Sequence, residues 1–217
     1  SAADYGGAID NDGYAAGSGI LNATDCTFSN NSATDGGAIY NYGKEADSGI
    51  LHATDCTFSN NNADNGGAIQ SYSLAIDSGI LNANSCIFSN NSATYGGAIQ
   101  NYSGGEGSGM LNANSCIFSN NSATYGGAIQ NYSWEAGSGI LNANGCIFGH
   151  NSSVDGGVLY NGLIADTTLL PGTSIFECCR FVDNSATTSA DVLYNSLGTV
   201  TAQNCWWGTS IPNRATL

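Results

Sequence analysis

Charged residues are scarce in this chain, and positive charge is almost absent. Charged residues make up 9% of the 217, and 3 Lys and Arg stand against 17 Asp and Glu, for a formal net charge of −14. The basic residues Lys44, Arg180 and Arg214 are far apart in the sequence. Nucleic acids and anionic membrane surfaces are polyanions, so we expect this chain to bind neither.

Long apolar runs are lacking too. No stretch of eighteen apolar residues occurs, so we expect no membrane span. The chain is nevertheless 41% hydrophobic, which argues against disorder. It begins at Ser1 rather than Met, and we expect that a signal peptide has been removed. The 8 cysteines in so small a chain favour a location outside the cytoplasm.

A thirty-residue repeat occupies most of the chain. The segment from Leu81 to Ser103 recurs letter for letter from Leu111 to Ser133. Gly-Gly-Ala-Ile begins at Gly36, Gly66, Gly96 and Gly126, and Cys-x-Phe begins at Cys26, Cys56, Cys86, Cys116 and Cys146. A constant period of this length is typical of solenoids, in which each repeat is one unit of a stack.

Each repeat reads as short strands separated by Asn, Ser, Asp and Gly, without helical periodicity. One such repeat cannot bury its apolar side alone, but a stack of copies can. We predict an all-β protein, a right-handed parallel β-helix of about seven coils with roughly 30 residues per coil. A single domain spans residues 1–217, with regular repeats over 1–160 and irregular coils over 161–217. The alternative, a β-sandwich, does not explain the thirty-residue period.

Two motifs resemble known repeat families. The segment FSNNSATDGGAIYN, residues 28–41, resembles the FxxN and GGAI repeats of the polymorphic outer-membrane-protein type, a subset of right-handed parallel β-helix repeats. The segment NCWWGTSIP, residues 204–212, resembles a motif of β-helical adhesin-like surface proteins of methanogenic archaea. The resemblance implies a secreted, cell-surface protein with a role in adhesion or the cell envelope. It implies no activity, since the same fold also carries lyases and hydrolases.

Stacked coils predict ladders of identical side chains. The phenylalanine ladder comprises Phe28, Phe58, Phe88, Phe118, Phe148 and Phe181, and Trp207 closes it. The asparagine ladder comprises Asn31, Asn61, Asn91, Asn121 and Asn151, followed by Asn184. Stacked amides can donate to one another, which avoids the cost of burying an unpaired amide. A sugar or metal site at this asparagine column is the alternative interpretation.

Seven cysteines are predicted to form an inward column: Cys26, Cys56, Cys86, Cys116, Cys146, Cys179 and Cys205. Buried thiols behave as small apolar groups, and disulfides between neighbouring coils are the alternative. Cys178 should face solvent and is the candidate for an intermolecular disulfide. No Cys/His spacing suits zinc, and we expect no metal and no cofactor.

One corner of the coil carries Tyr42, Tyr72, Tyr102 and Tyr132, each followed by a variable segment. Variable tips on a rigid scaffold are where partner contacts are tolerated. Candidate glycosylation sites are the sequons at Asn22, Asn30, Asn101 and Asn131.

No clustered carboxylates and no nucleophile motif occur, so we expect no enzyme. Interchangeable rungs suit a self-assembling structural subunit of an extracellular layer, sheath or fibre. Ser1 aligns with Asn31 in mid-coil, and head-to-tail stacking of a homo-oligomer or polymer would extend the ladders. The alternative is a surface adhesin whose tips, with Trp134 and Tyr132, contact a glycan or another cell-surface partner. A carbohydrate-active enzyme is the third hypothesis.

Overall fold

The computed structural model describes residues 3–134, 138–162, 172–188, 192–196 and 198–208, so Arg214 lies outside the described residues. The chain is an all-β parallel solenoid of about six full turns with about 30 residues per turn. The predicted β-helix is therefore confirmed, and the predicted coil number of about seven is close. The part of the chain that the structure describes contains no helix that could cross a membrane.

Three parallel sheets of seven strands each run along the rod, and we name them by the residue that repeats on their inner side. The Ile sheet consists of β2 (Ile9–Gly13), β6 (Ile39–Gly43), β9 (Ile69–Ser73), β13 (Ile99–Ser103), β17 (Ile129–Ser133), β21 (Leu159–Asn161) and β25 (Leu193–Asn195). The Leu sheet consists of β3 (Ile20–Thr24), β7 (Ile50–Thr54), β10 (Ile80–Asn84), β14 (Met110–Asn114), β18 (Ile140–Asn144), β22 (Gly172–Glu177) and β26 (Gly198–Gln203).

The Phe sheet consists of β4 (Thr27–Ser29), β8 (Thr57–Ser59), β11 (Ile87–Ser89), β15 (Ile117–Ser119), β19 (Ile147–Gly149), β23 (Arg180–Val182) and β27 (Trp206–Trp207). Shorter strands form a corner sheet: β1 (Ala3–Tyr5), β5 (Ala33–Asp35), β12 (Ser92–Tyr95), β16 (Ser122–Tyr125), β20 (Ser152–Asp155) and β24 (Ser185–Ala186). Isolated bridges from Asn62 and Asn65 join β5 to β12, so this corner is also continuous.

The thirty-residue period sets the register of the rod. Every paired strand is parallel, and Phe58 lies between Phe28 and Phe88 in neighbouring coils. Later in the chain the offset changes, since Phe148 pairs with Phe181 and Leu159 with Leu193. The ladders continue across these insertions because extra residues fall between strands rather than inside them.

Two glycines form a tight turn in the coils that carry the Gly-Gly motif, and Gly96 and Gly97 illustrate why. Gly96 has a φ of +65°, which favours glycine, and a Cβ there would lie 2.2 Å from the carbonyl oxygen of Ile99. A Cβ on Gly97 would lie 2.1 Å from the carbonyl oxygen of Gly127 in the next coil. The motif therefore joins the corner sheet to the Ile sheet with no room for a side chain.

The phenylalanine ladder fills the core beneath the Phe sheet. The rings of Phe58 and Phe88 are 4.9 Å apart at 4°, and both side chains are fully buried. Burying each phenylalanine contributes about 2–3 kcal/mol. The stack ends on Trp207, whose ring lies 4.3 Å from that of Phe181.

Two core residues of β22 break the repeat. Phe176 pairs with Ala143, while two residues earlier Ser174 pairs with Leu141. Phe176 is larger than the alanine of the preceding coil and Ser174 is smaller than the leucine, so the two exchanges offset each other in volume. Phe176 is fully buried and meets the ring of Phe148 edge-on at 5.6 Å.

Candidate functional site

The predicted asparagine ladder lies inside the rod, where its buried side-chain amides are hydrogen-bonded. The Asn91 side-chain amide donates to Asn121 Oδ1 and to the carbonyl oxygen of Phe58, each at 3.0 Å. Its Oδ1 accepts from both the backbone N–H and the side chain of Asn61. An amide group makes about four hydrogen bonds at most. The buried members of this ladder therefore have no hydrogen-bonding capacity left for a sugar or a metal.

A second asparagine ladder, which was not predicted from the sequence, runs along the inner side of the Ile sheet. It comprises Asn11, Asn41, Ser71, Asn101, Asn131, Asn161 and Asn195. The side-chain amide of Asn101 donates to Asn131 Oδ1 at 2.9 Å and to the carbonyl oxygen of Gly109 at 3.2 Å. Ser71 interrupts this ladder, because its hydroxyl donates to the carbonyl oxygen of Gly79.

The second ladder corrects two of the expected glycosylation sites. Asn101 and Asn131 are fully buried, so neither can accept a glycan in the folded chain. Each lies two residues after a core isoleucine, and side chains two apart in a strand share a face. Asn22 and Asn30 are exposed, and glycosylation there stays a prediction.

The cysteine column lies between the Leu and Phe sheets as free thiols. Cys56, Cys86, Cys116, Cys146 and Cys179 are buried, while Cys26 and Cys205 at the column ends are partly buried. The thiol of Cys86 donates to the carbonyl oxygens of Ala53 and Asn84, at 3.5 and 3.3 Å. Burial raises the pKa of the Cys56 thiol, which disfavours the reactive thiolate. Cys178 is exposed, and its intermolecular disulfide stays a prediction.

A trough of about 380 Å³ lies where the corner sheet meets the Ile sheet. Its floor is a glutamine column on the outer side of the Ile sheet, formed by Gln70, Gln100 and Gln130. The side-chain amide of Gln70 donates to Gln100 Oε1 at 2.5 Å, and that of Gln100 donates to Gln130 Oε1 at 2.7 Å. In the same register Tyr40 stands before the first glutamine and Tyr160 after the last.

Tyrosine columns form the trough's walls. One wall is the predicted tyrosine corner, where the rings of Tyr102 and Tyr132 stack at 5.0 Å. On the other side, Tyr95 stacks on Tyr125 at 5.4 Å. The Gly96–Gly97 turn separates Tyr95 from Gln100 by only a few residues, so one motif brings wall and floor together.

The trough is neutral to acidic. Burial raises the pKa of Asp35 at one end of the trough, although Asn65 donates to Asp35 Oδ1 at 2.7 Å. Burial also raises the pKa of Tyr132, and it raises that of Tyr160 to about 12. No basic residue occurs among the residues described as lining the trough. The site therefore offers amide hydrogen bonds and aromatic faces, and no positive charge.

Metal chemistry finds no support among the side chains whose positions are described. No group of three or more His, Cys, Asp and Glu is placed to hold a metal ion there. Asp35 is the one carboxylate among the described residues of the lining.

Four coils match the Chlamydia polymorphic membrane protein repeat, at residues 25–42, 55–72, 85–102 and 115–132. The chain is a parallel β-helix in which these four coils are similar to that repeat. The four matches cover about a third of the chain. Neither the curated proteins nor the solved structures gave a match.

Each polymorphic membrane protein repeat runs from the cysteine column through the Gly-Gly turn and ends at a tyrosine of the wall. The repeat therefore contains most of what builds the trough and stops before the variable tip. At a coarse level, this repeat type indicates a surface-exposed protein of the outer membrane or cell surface, in agreement with the expected location.

A second exposed feature is an isoleucine column on the outer side of the Phe sheet. Ile87, Ile117 and Ile147 follow one another in register and are 38–40% exposed. The same register holds Thr27 and Thr57 in earlier coils. The column is apolar over three coils, and the repeats tolerate threonine at this position.

One wall of the trough was predicted from the sequence, but its floor was not. The floor glutamines alternate with core residues, a pattern normally typical of solvent-exposed positions. They are only 1–6% exposed because the tyrosine columns, with Asn65 in the coil of Gln70, flank them on both sides. The available signal was the thirty-residue recurrence of Gln70, Gln100 and Gln130, each with a tyrosine two residues later.

Proposed function

We propose that this chain is a surface adhesin module that presents the tyrosine–glutamine trough to a partner outside the cell. The trough carries the proposal, because it is the place where the described surface combines concavity, aromatic rings and hydrogen-bonding amides. Tyrosine is enriched at binding surfaces because its ring supplies contact area and its hydroxyl a polar end.

A binding role fits the lining better than a catalytic one. Hydrolysis of a glycosidic bond ordinarily requires a pair of carboxylates, and among the described residues the lining contains Asp35 alone. The rod beneath the trough is held by buried amide and phenylalanine ladders, so the trough is a preformed surface. Preformed sites lose less free energy to ordering when a partner binds.

Cell binding tests this proposal. Fluorescently labelled protein is added to intact host or neighbouring cells and to isolated extracellular matrix, and retention is compared with that of Gln100→Tyr. Tyrosine already occupies this register at Tyr40 and Tyr160, so the variant should fold while filling the trough. We expect the variant to lose retention. Equal retention of both proteins would overturn the proposal.

A structural role is the second candidate, because the isoleucine column favours side-by-side association. The isoleucine column of Ile87, Ile117 and Ile147 would pack against the same column of another copy. Such a contact would join subunits into the self-assembling layer or sheath expected from the sequence. Sedimentation at rising concentration tests it, with the variant Ile117→Thr, which copies Thr57 of an earlier coil. Association that is unaffected by Ile117→Thr, or a strict monomer, would contradict this role.

A further inference from the structure

We infer that the trough binds a neutral, extended polysaccharide of pyranose rings that lies along the rod axis with one ring per coil. This inference rests on the proposed function, because it names the class of partner for the same trough.

The spacing of the trough favours a sugar chain over a peptide. Neighbouring coils of a parallel sheet are about 4.8 Å apart, and an extended peptide advances about 3.3 Å per residue. A peptide along the axis would therefore advance about one and a half residues per coil, so its successive residues would not meet equivalent side chains. A pyranose ring in an extended glycan advances by close to one coil, so each ring would meet an equivalent set of side chains.

The floor presents hydrogen-bonding groups in a form that suits hydroxyls. Each glutamine amide has donors and acceptors, and hydroxyl groups are both donors and acceptors. Gln70 is 6% exposed, and its Oε1 is buried with no hydrogen-bond partner among the described residues. Its terminal torsion is broad. Gln70 lines the trough, so a sugar hydroxyl that reaches this oxygen would donate to it.

The walls present aromatic faces to the flanks of the chain. Tyr102 and Tyr132 stack on one side, and Tyr95 and Tyr125 stack on the other, all half-buried. Aromatic faces carry negative potential and pack against the C–H edges of other groups. The C–H groups of a pyranose ring fit such a wall, while its hydroxyls point to the floor and to solvent.

Charge selects against acidic glycans. The lining includes Asp35 and no basic residue among those described, and the chain carries a formal net charge of −14. Lys44 lies instead over the ring of Tyr14, which does not line the trough. Sulfated or uronic-acid chains would be repelled, since like charges disfavour association.

Calorimetric titration with defined oligosaccharides tests the inference. The probes are the di-, tri- and hexasaccharides of the cellulose, chitin and xylan series, with sulfated and oligouronate chains for comparison. We expect affinity for at least one neutral series to rise up to about three rings, one for each floor glutamine. The acidic chains should not bind.

Matched variants locate the binding. Tyr95→Asn copies Asn65, which holds the same register, and should weaken binding about tenfold through the lost ring contact. Gln100→Tyr should abolish it. Ile117→Thr, on a different face, should bind as the parent does.

Three results would overturn the inference. They are no binding of any neutral series at millimolar concentration, equal binding by Gln100→Tyr, and preference for acidic chains. The proposed function has a separate readout. If labelled protein still binds cells through the trough while all neutral oligosaccharides fail, the glycan assignment is wrong and the adhesin role stands.

Discussion

Replacing Ser71 with asparagine should stabilise the rod, because it completes the interrupted second ladder. In intact parts of this ladder, each asparagine donates to the next at 2.7–3.0 Å, as Asn11 does to Asn41 and Asn131 to Asn161. At the interruption the Ser71 hydroxyl donates to Gly79, and Asn101 Oδ1 is buried without a partner among the described residues.

The expected gain follows from this one missing donor. Asparagine at position 71 would keep the bond to the Gly79 carbonyl and add one to Asn101 Oδ1, as the other asparagines of the ladder do with their own neighbours. A net hydrogen bond contributes about 0.5–1.5 kcal/mol, and an unpaired buried group costs about 1–3 kcal/mol. We therefore expect Ser71→Asn to raise the free energy of unfolding by about 1–2 kcal/mol.

Chemical denaturation of the parent and the variant measures this difference, and thermal melting should show a rise of roughly 2–4 °C per kcal/mol for a chain of this size. Thr24→Asn is the matched control, because it adds the same residue at an exposed position that is Asn84 in another coil. The control should change stability by less than about 0.5 kcal/mol. An unchanged or lowered midpoint for Ser71→Asn would refute the hydrogen-bond reasoning.

Three further predictions concern the Gly-Gly turn, a buried tyrosine in the register of the floor glutamines, and the thiols. Gly97→Ala should destabilise the fold by about 3 kcal/mol or more in urea unfolding, because its Cβ meets backbone, whereas Gly104→Ala, which meets mainly side chains, should be tolerated. Tyr160 should ionise near pH 12 in ultraviolet titration, because its pKa in the folded chain is raised above the ordinary value of about 10. The free energy of unfolding should therefore fall as pH rises from 10 through 12. Ionisation of Tyr160 at pH 10 would count against its burial. Cys178 should react with a thiol reagent long before Cys116, and equal rates would contradict the buried column.

The period of the sequence was enough to predict the solenoid and its register. Identical residues thirty apart, such as Phe58 and Phe88, stack because each coil repeats the backbone path of the one before it. The register of the last coils could still be predicted despite the insertion after Asn161, because Cys-x-Phe returns at Cys179. A motif within a strand keeps its place even when the loop before it changes length.

The trough floor and the second ladder could not be predicted in the same way. Whether an outward glutamine is exposed depends on what stands beside it across a turn, and the closeness of Tyr95 to Gln100 is a property of the Gly-Gly bend. Asn101 lies in a sequon, which predicts glycosylation, whereas its position two residues after Ile99 places its side chain on the buried face of the strand. The exchange of Ser174 and Phe176 was hidden because it breaks the repeat at two positions at once.

The letter-for-letter match between two coils has a consequence for how such a protein varies. A whole unit of thirty residues can be lost or duplicated in the gene and the neighbouring coils still meet in register, since Gln100 pairs with a glutamine in the coil on either side. The number of repeats then sets the length of the rod, because each added unit adds one coil and brings one glutamine and its tyrosines to the trough. Descendants of one gene could differ in the length of the trough without any new side chain having to evolve.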